Sequence, residues 1–252
     1  MSDKARVHAR LNGGNQLEFH DQTTQELTWI ASPLYFDDDF IGAGHTAGIP
    51  AAGAPAAGYP WVKKIVGVAP PTVALISNSG GGQVSCTLAA TSEKEDAALY
   101  WNDSLSLDVT KGLVWQARVA LSVLPSVAGV QAVWGMGSAW IDGPNNRSFY
   151  LSFGVSGNGN VLMQSQDGVT QNAIASGVTV NAGDFHNYRI DATDVTDIKF
   201  FIDGVRVSGN NQIAFAATGA NAILQAYNSV YKPSGTGVGT LVLDAISAFN
   251  FR

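Results

Sequence analysis

The run Gly183-Asp184-Phe185-His186-Asn187-Tyr188-Arg189-Ile190-Asp191-Ala192, taken with Lys199-Phe200-Phe201-Ile202-Asp203-Gly204-Val205-Arg206-Val207 just after it, decides the fold class. Ile198, Phe200 and Ile202 alternate with Lys199 and Phe201. Successive side chains of an extended chain point to opposite faces, so this is a strand with one apolar side. Asp203-Gly204 supplies the dipeptide of a tight hairpin turn, and Val205-Arg206-Val207 returns.

The same texture spreads outward. From Leu113 to Leu121, Leu113, Trp115, Ala117, Val119 and Leu121 share one face, while Val114, Gln116, Arg118 and Ala120 share the other. The Trp115 face holds the larger side chains, so Trp115 and Val119 are expected in the core with Tyr188, Ile190, Phe200 and Ile202. Leu241, Leu243 and Ala245 open another strand. Apolar runs bounded by turn residues recur near 72–77, 83–89, 129–135, 147–154, 160–165 and 222–231. No ten-residue stretch has helical periodicity, and the pattern is an antiparallel β-sandwich.

Residues 1–35 read as an arm before the domain at 36–252. Val7–Leu11 and Gln16–His20 alternate on either side of Asn12-Gly13-Gly14-Asn15, a hairpin signal, and a short strand is expected near Leu27–Ile30. Residues 42–60 hold five Gly, seven Ala and three Pro in nineteen positions. Such a segment forms neither helix nor central strand. The expectation is that a neighbouring chain holds it in place.

Composition narrows the function classes. Of 252 residues only 13% are charged, against about 25% in ordinary globular domains. Glu occurs four times and Lys seven. Either this is an ordinary Gly/Ala/Ser/Thr-rich β protein, or, because interfaces are depleted in the same residues, much of its surface meets other subunits. The net charge of −6 argues against nucleic-acid binding. No apolar run reaches the ~18 residues of a membrane span. The N-terminal residues contain no apolar stretch of the signal-peptide kind, so secretion is not expected. A single cysteine, Cys86, excludes an internal disulfide framework.

The 183–207 hairpin resembles that of the concanavalin A-like lectin/glucanase superfamily, which includes laminin-G-like domains. Two further segments, Phe36-Asp37-Asp38-Asp39-Phe40 and the stretch from Tyr100-Trp101-Asn102-Asp103 through Trp115-Gln116-Ala117-Arg118-Val119, are similar to laminin-G-like virion proteins of tailed bacteriophages, as is Leu241–Ile246. The resemblance covers residues 36–252. It implies an all-β concanavalin A-like jelly roll with an N-terminal hairpin arm, in which Phe185 and Tyr188 fill the core. It also implies a non-enzymatic structural protein on the capsid exterior, made in the host cytoplasm. As a decoration protein it would bind the major capsid protein and sister subunits, as a trimer, and stabilise the shell.

Glucanases of this superfamily carry two Glu in an E-x-D-x-E or E-x-D-x-x-E strand, because retaining hydrolysis needs carboxylates about 5–5.5 Å apart. Here the only close Glu pair, Glu93 and Glu95, is expected in a solvated turn, and no enzyme activity is expected. Cys86 reads as a core residue, His186 as a structural hydrogen-bonding group, and Asp37-Asp38-Asp39 as turn and strand-entry residues rather than a calcium site. Gly235, Gly237 and Gly239 lack the strand-to-helix context of a phosphate loop. No cofactor is expected. One alternative remains, a glycan-binding module of a virion tail or fibre: Trp134, Trp140 and Tyr150 flank a loop carrying Asp142, Asn145 and Asn146, groups able to stack on a sugar ring and bond its hydroxyls.

Overall fold

The computed structural model describes residues 34–250, except 42–47, 57, 58, 78, 80 and 128, together with the backbone of three short strands nearer the N-terminus. Those strands are β1 (His8–Leu11), β2 (Leu17–His20) and β3 (Leu27–Trp29), which form a three-stranded sheet of their own. β1 and β2 pair antiparallel with Leu11 opposite Leu17, the hairpin the alternation calls for. No helix among the described residues is long and apolar enough to cross a membrane.

The sandwich follows. Its strands are β4 (Leu34–Asp38), β5 (Val62–Val66), β6 (Thr72–Leu75), β7 (Val84–Thr87), β8 (Glu95–Tyr100), β9 (Leu107–Asp108), β10 (Leu113–Val123), β11 (Gln131–Gly137), β12 (Phe149–Val155), β13 (Asn160–Asp167), β14 (Gln171–Thr179), β15 (His186–Ala192), β16 (Lys199–Ile202), β17 (Val205–Arg206), β18 (Ile223–Lys232) and β19 (Thr240–Asn250). One sheet runs β17-β16-β15-β10-β19-β7-β6, with β4 also on β19. The other runs β14-β13-β12-β11-β18-β8-β5, with β9 also on β18.

The expected core is the observed one. Trp115 lies opposite Ile190, Tyr188 opposite Ile202 and Ile190 opposite Phe200, so one apolar face runs continuously across three strands. All six residues named from the alternation are buried. Against them the second sheet sets Trp134 and Phe153, whose rings meet Tyr188 at 4.9 Å each. Phe185 departs from expectation: it sits half-exposed on the outer face with the Arg118 guanidinium 4.3 Å above its ring. It precedes β15 and lies beside the outward face of β10.

Two departures have clear causes. Leu241, Leu243 and Ala245 do not share a face throughout. A register shift opposite Arg118 and Val119 bulges β19 at Asp244, and burial passes from Leu243 to Ile246 and Ala248. A bulge lets both halves of a strand face the core and re-aims the extra residue; Asp244 takes up Arg118 at 2.5 Å.

The Ala/Gly/Pro segment, where described, makes contacts within its own domain. Ile49 and Tyr59 are buried in the main core. Between them Lys63 N donates to Pro50 O at 2.8 Å and Ala52 N to Lys63 O at 2.9 Å, so residues 50–52 cover the free edge of β5. An uncovered edge invites pairing with another chain. Two large side chains, Ile49 and Tyr59, dock the described part of the segment.

Candidate functional site

The strands of the second sheet align their outward side chains in rows. One row crosses the sheet as Val62, Tyr100, Tyr227, Gly135, Ser152, Gln164 and Ala173. The next is Lys64, Ala98, Ser229, Val133, Gly154, Leu162 and Ala175. Over β11–β14 the rows lie open as a groove of ≈ 150 Å³, lined by Gln131, Val133, Asn145, Gly154, Leu162 and Gln164. Asn145 Nδ2 donates to Gln131 Oε1 at 3.0 Å, which fixes two amides at the rim. The small residues are required there. A Cβ at Gly154 would lie 2.5 Å from Gln164 Oε1, and one at Gly135, where φ is +148°, would lie 2.5 Å from Leu151 O.

Over β18, β8 and β5 the same face is covered by the loop 138–148 that joins β11 to β12. Trp140 packs with Ala52 on Val62, Ala98, Tyr100, Val133 and Tyr227, a small apolar cluster separate from the main core. Lys64 Nζ stands 4.8 Å from the Trp140 ring. Trp140 N donates to Asp103 Oδ1 at 2.7 Å, and Asp142 pairs with Lys94. Arg147 is buried with its guanidinium 3.6 Å over Tyr227 and 5.4 Å from Tyr150. Cation–π attraction offsets part of the cost of desolvating that charge.

Beneath the loop, Asp96 accepts from Ser229 Oγ at 2.7 Å. Burial pushes its carboxyl up to about 7, nearby Asp142 adds to the rise, and the Ser229 hydrogen bond and Arg147 oppose it. Trp140 Nε1 is near enough to favour the charged form, yet short of hydrogen-bond distance. Asp96 Oδ2, Tyr227 OH, Arg147 Nη1, Trp140 Nε1 and Asp142 Oδ1 are all buried and make no hydrogen bond of good geometry.

A raised carboxyl has a pH consequence. The native state holds a proton that the unfolded chain releases above the ordinary value of 3.8. The Asp96 contribution to stability is therefore greatest below that value and declines as pH rises through about 7. Asp96→Asn, which cannot ionise, should stabilise the protein at pH 8 on the order of 1–3 kcal/mol and do little at pH 4. Thermal melts at the two pH values test this; equal shifts at both would show that Asp96 is solvated.

The structure divides the residues named from sequence. Trp140, Asp142, Asn145 and Asn146 all lie on the 138–148 loop, and Asn146 Nδ2 braces it on Asp142 O at 2.7 Å. Trp134 and Tyr150 are not available to stack on a sugar. Trp134 points into the sandwich core and stacks on Phe153, because Ala132, Trp134 and Met136 form the inward face of β11. Tyr150 lies outward but is only 1% exposed, under Arg147, and its OH accepts from Gln171 Nε2 at 2.8 Å. Glu95 is not in a solvated turn: it is fully buried in β8, 3.4 Å from buried Lys232. Glu93 accepts from Val68 N and Ala69 N, which lowers its pKa.

Cys86 is buried, and burial raises its thiol pKa. His186 Nδ1 lies 2.6 Å from Asp203 Oδ2 in the hairpin, the structural role expected of it. Asp38 and Asp39 cap the turn to Phe40 and Ile41, and Asp38 Oδ2 accepts from Trp61 Nε1 at 2.8 Å. Sequence reasoning missed Asp96, Arg147 and Tyr227 under the loop and Gln131 and Gln164 in the groove. Gln131 and Gln164 could have been found as polar residues within strand runs; Arg147 lies on the loop, and Asp96 and Tyr227 carry no local signal.

No family model and no curated protein matches the chain. Solved structures do. A protein of unknown function from Shewanella oneidensis MR-1 superposes with a TM-score of 0.57 at 12% identity, over 86% of each chain. The laminarinase of Rhodothermus marinus gives 0.56 at 17% identity, over 87% of this chain and 99% of its own. A pseudo β-1,3-glucanase of Mycobacterium tuberculosis gives 0.55 at 16%, over 86% and 98%. The chain has the concanavalin A-like jelly-roll fold. The expectation of a chain without enzyme activity is corrected by these neighbours: a laminarinase shares the fold over nearly its whole length, so glycoside hydrolysis joins the activities to be assayed.

Proposed function

We propose that the chain is a glycan-binding module carried on a phage particle, and that its ligand is an uncharged polysaccharide lying in the groove over β11–β14. The observation that carries this reading is the composition of that groove. Gln131, Asn145 and Gln164 line it with amides, each able to donate and to accept, as sugar hydroxyls require. Gly154 leaves the space that the Gln164 amide occupies, and small Ala173 lines the groove beside it. The names of the jelly-roll neighbours, a laminarinase and a pseudo β-1,3-glucanase, support a glucan as ligand class. The phage setting rests on the resemblance of segments 36–40, 100–119 and 241–246 to laminin-G-like virion proteins.

Calorimetric titration with laminarin, a neutral β-1,3-glucan, is the test. Binding is expected, and Gln164→Ala should weaken it about tenfold, the worth of one hydrogen bond in a site. Absence of binding at millimolar sugar would overturn the reading. A reducing-sugar assay on the same samples reports whether hydrolysis accompanies binding.

A second reading is capsid decoration, with a trimer of the chain bound to the major capsid protein. What favours it is the three-stranded sheet of β1–β3, which among the described residues pairs within itself. Chain lacking residues 1–33 should then no longer bind purified shells.

A further inference from the structure

Resting on the glycan reading, we infer that loop 138–148 is a strap that closes off the aromatic half of the same groove. The open half over β11–β14 offers amides and small residues but no ring on which a sugar can stack. Two rings of this face, Tyr100 and Tyr227, lie in the same row, and both are buried. Trp140 covers the first two strands of that row and Arg147 covers Tyr227. The groove therefore continues, in register and on one face, beneath the loop.

The interface under the loop is built to part. Five buried polar atoms on its two sides make no hydrogen bond of good geometry: Asp96 Oδ2 and Tyr227 OH on the sheet, and Trp140 Nε1, Asp142 Oδ1 and Arg147 Nη1 on the loop, with Trp140 approaching Asp96 and Tyr227 approaching Ser229. A permanently closed interface satisfies such groups, and leaving them bare is costly. Parting admits water or sugar hydroxyls to all five. The ties at the outer end are weak: Lys94 and Asp142 are 45% and 38% exposed, and exposed ion pairs contribute little. The apolar cluster under Trp140 is small and separate from the main core.

The mechanism makes a quantitative statement. If only the parted state exposes the full groove, the apparent dissociation constant is the intrinsic one divided by the parted fraction. Exchange of the Trp140 amide, bonded to Asp103 Oδ1 in the closed state, is proportional to the same fraction. Lys94→Ala, which removes a tie but no groove residue, should therefore speed Trp140 amide exchange and tighten laminarin binding by the same factor, about two- to fivefold for an exposed ion pair. Trp140→Ala, which removes the cover, should tighten binding further.

If Lys94→Ala speeds exchange and leaves affinity unchanged, or leaves exchange itself unchanged, the strap is not a gate. If Trp140→Ala weakens binding, Trp140 is a ligand contact and the inference fails. If neither wild type nor variants bind laminarin while exchange still responds, the glycan reading itself has failed and the gate falls with it.

Discussion

Lys232→Met should destabilise the protein by about 3–5 kcal/mol, because it strands a carboxylate in the interior. Lys232 and Glu95 are both fully buried, with Nζ 3.4 Å from Oε2. Lys232 Nζ also donates to Ala89 O at 2.6 Å and Thr91 O at 2.7 Å, and Glu95 accepts from Ala89 N at 2.8 Å. Two charges thus satisfy the turn that leads into β8. Methionine has a similar length, so packing is kept while the cation and its donors are lost. The double variant Glu95→Gln/Lys232→Met should recover part of the loss, because removing both charges avoids leaving one uncompensated. Urea unfolding with an unchanged slope measures both effects. A loss below about 1 kcal/mol in the single variant would mean that water reaches Glu95 and the pair is not buried in solution.

The same pair shows where sequence stops being informative. Thr91-Ser92-Glu93-Lys94-Glu95-Asp96 has the composition of a solvated turn, and half of it is one. Glu95 and Asp96 are drawn inside by residues more than a hundred positions away, Lys232 and Ser229, brought alongside by the pairing of β8 with β18. No local pattern carries that. Alternation, by contrast, is decisive wherever a strand has one apolar face: Trp115, Val119, Phe200 and Ile202 follow from it. It fails at the Asp244 bulge, where the period of two is interrupted by one residue. It was also under-read on the second sheet. Strands covered on both faces read as nearly continuous apolar runs, so the outward-pointing Tyr227, between Ala226 and Asn228, did not announce a site. The 138–148 loop was legible as a place, through its aromatic and amide content; which of its flanking aromatics face outward was not, since that depends on the parity of β11.

Trp134 is where that parity has its largest measurable consequence. Trp134→Ala should cost about 3–5 kcal/mol, as other large aromatic truncations do. The side chain is fully buried, its ring centroid 6.2 Å from Phe153 and 4.9 Å from Tyr188, and it bridges the two sheets. The cavity left behind would be walled by both sheets, whose hydrogen-bonded strands cannot collapse into it. Because Trp134 lies on the opposite side of β11 from Gln131, Val133 and Gly135, the groove floor should survive. At a temperature where the variant remains folded, its laminarin affinity should match that of the wild type, while Gln164→Ala shows the reverse, normal stability and weakened binding. The two variants together separate the inward and outward faces of one sheet. A Trp134→Ala protein with near-normal stability and lost sugar binding would place the indole outside and reverse the register of β11, since a slip of one residue exchanges the two faces.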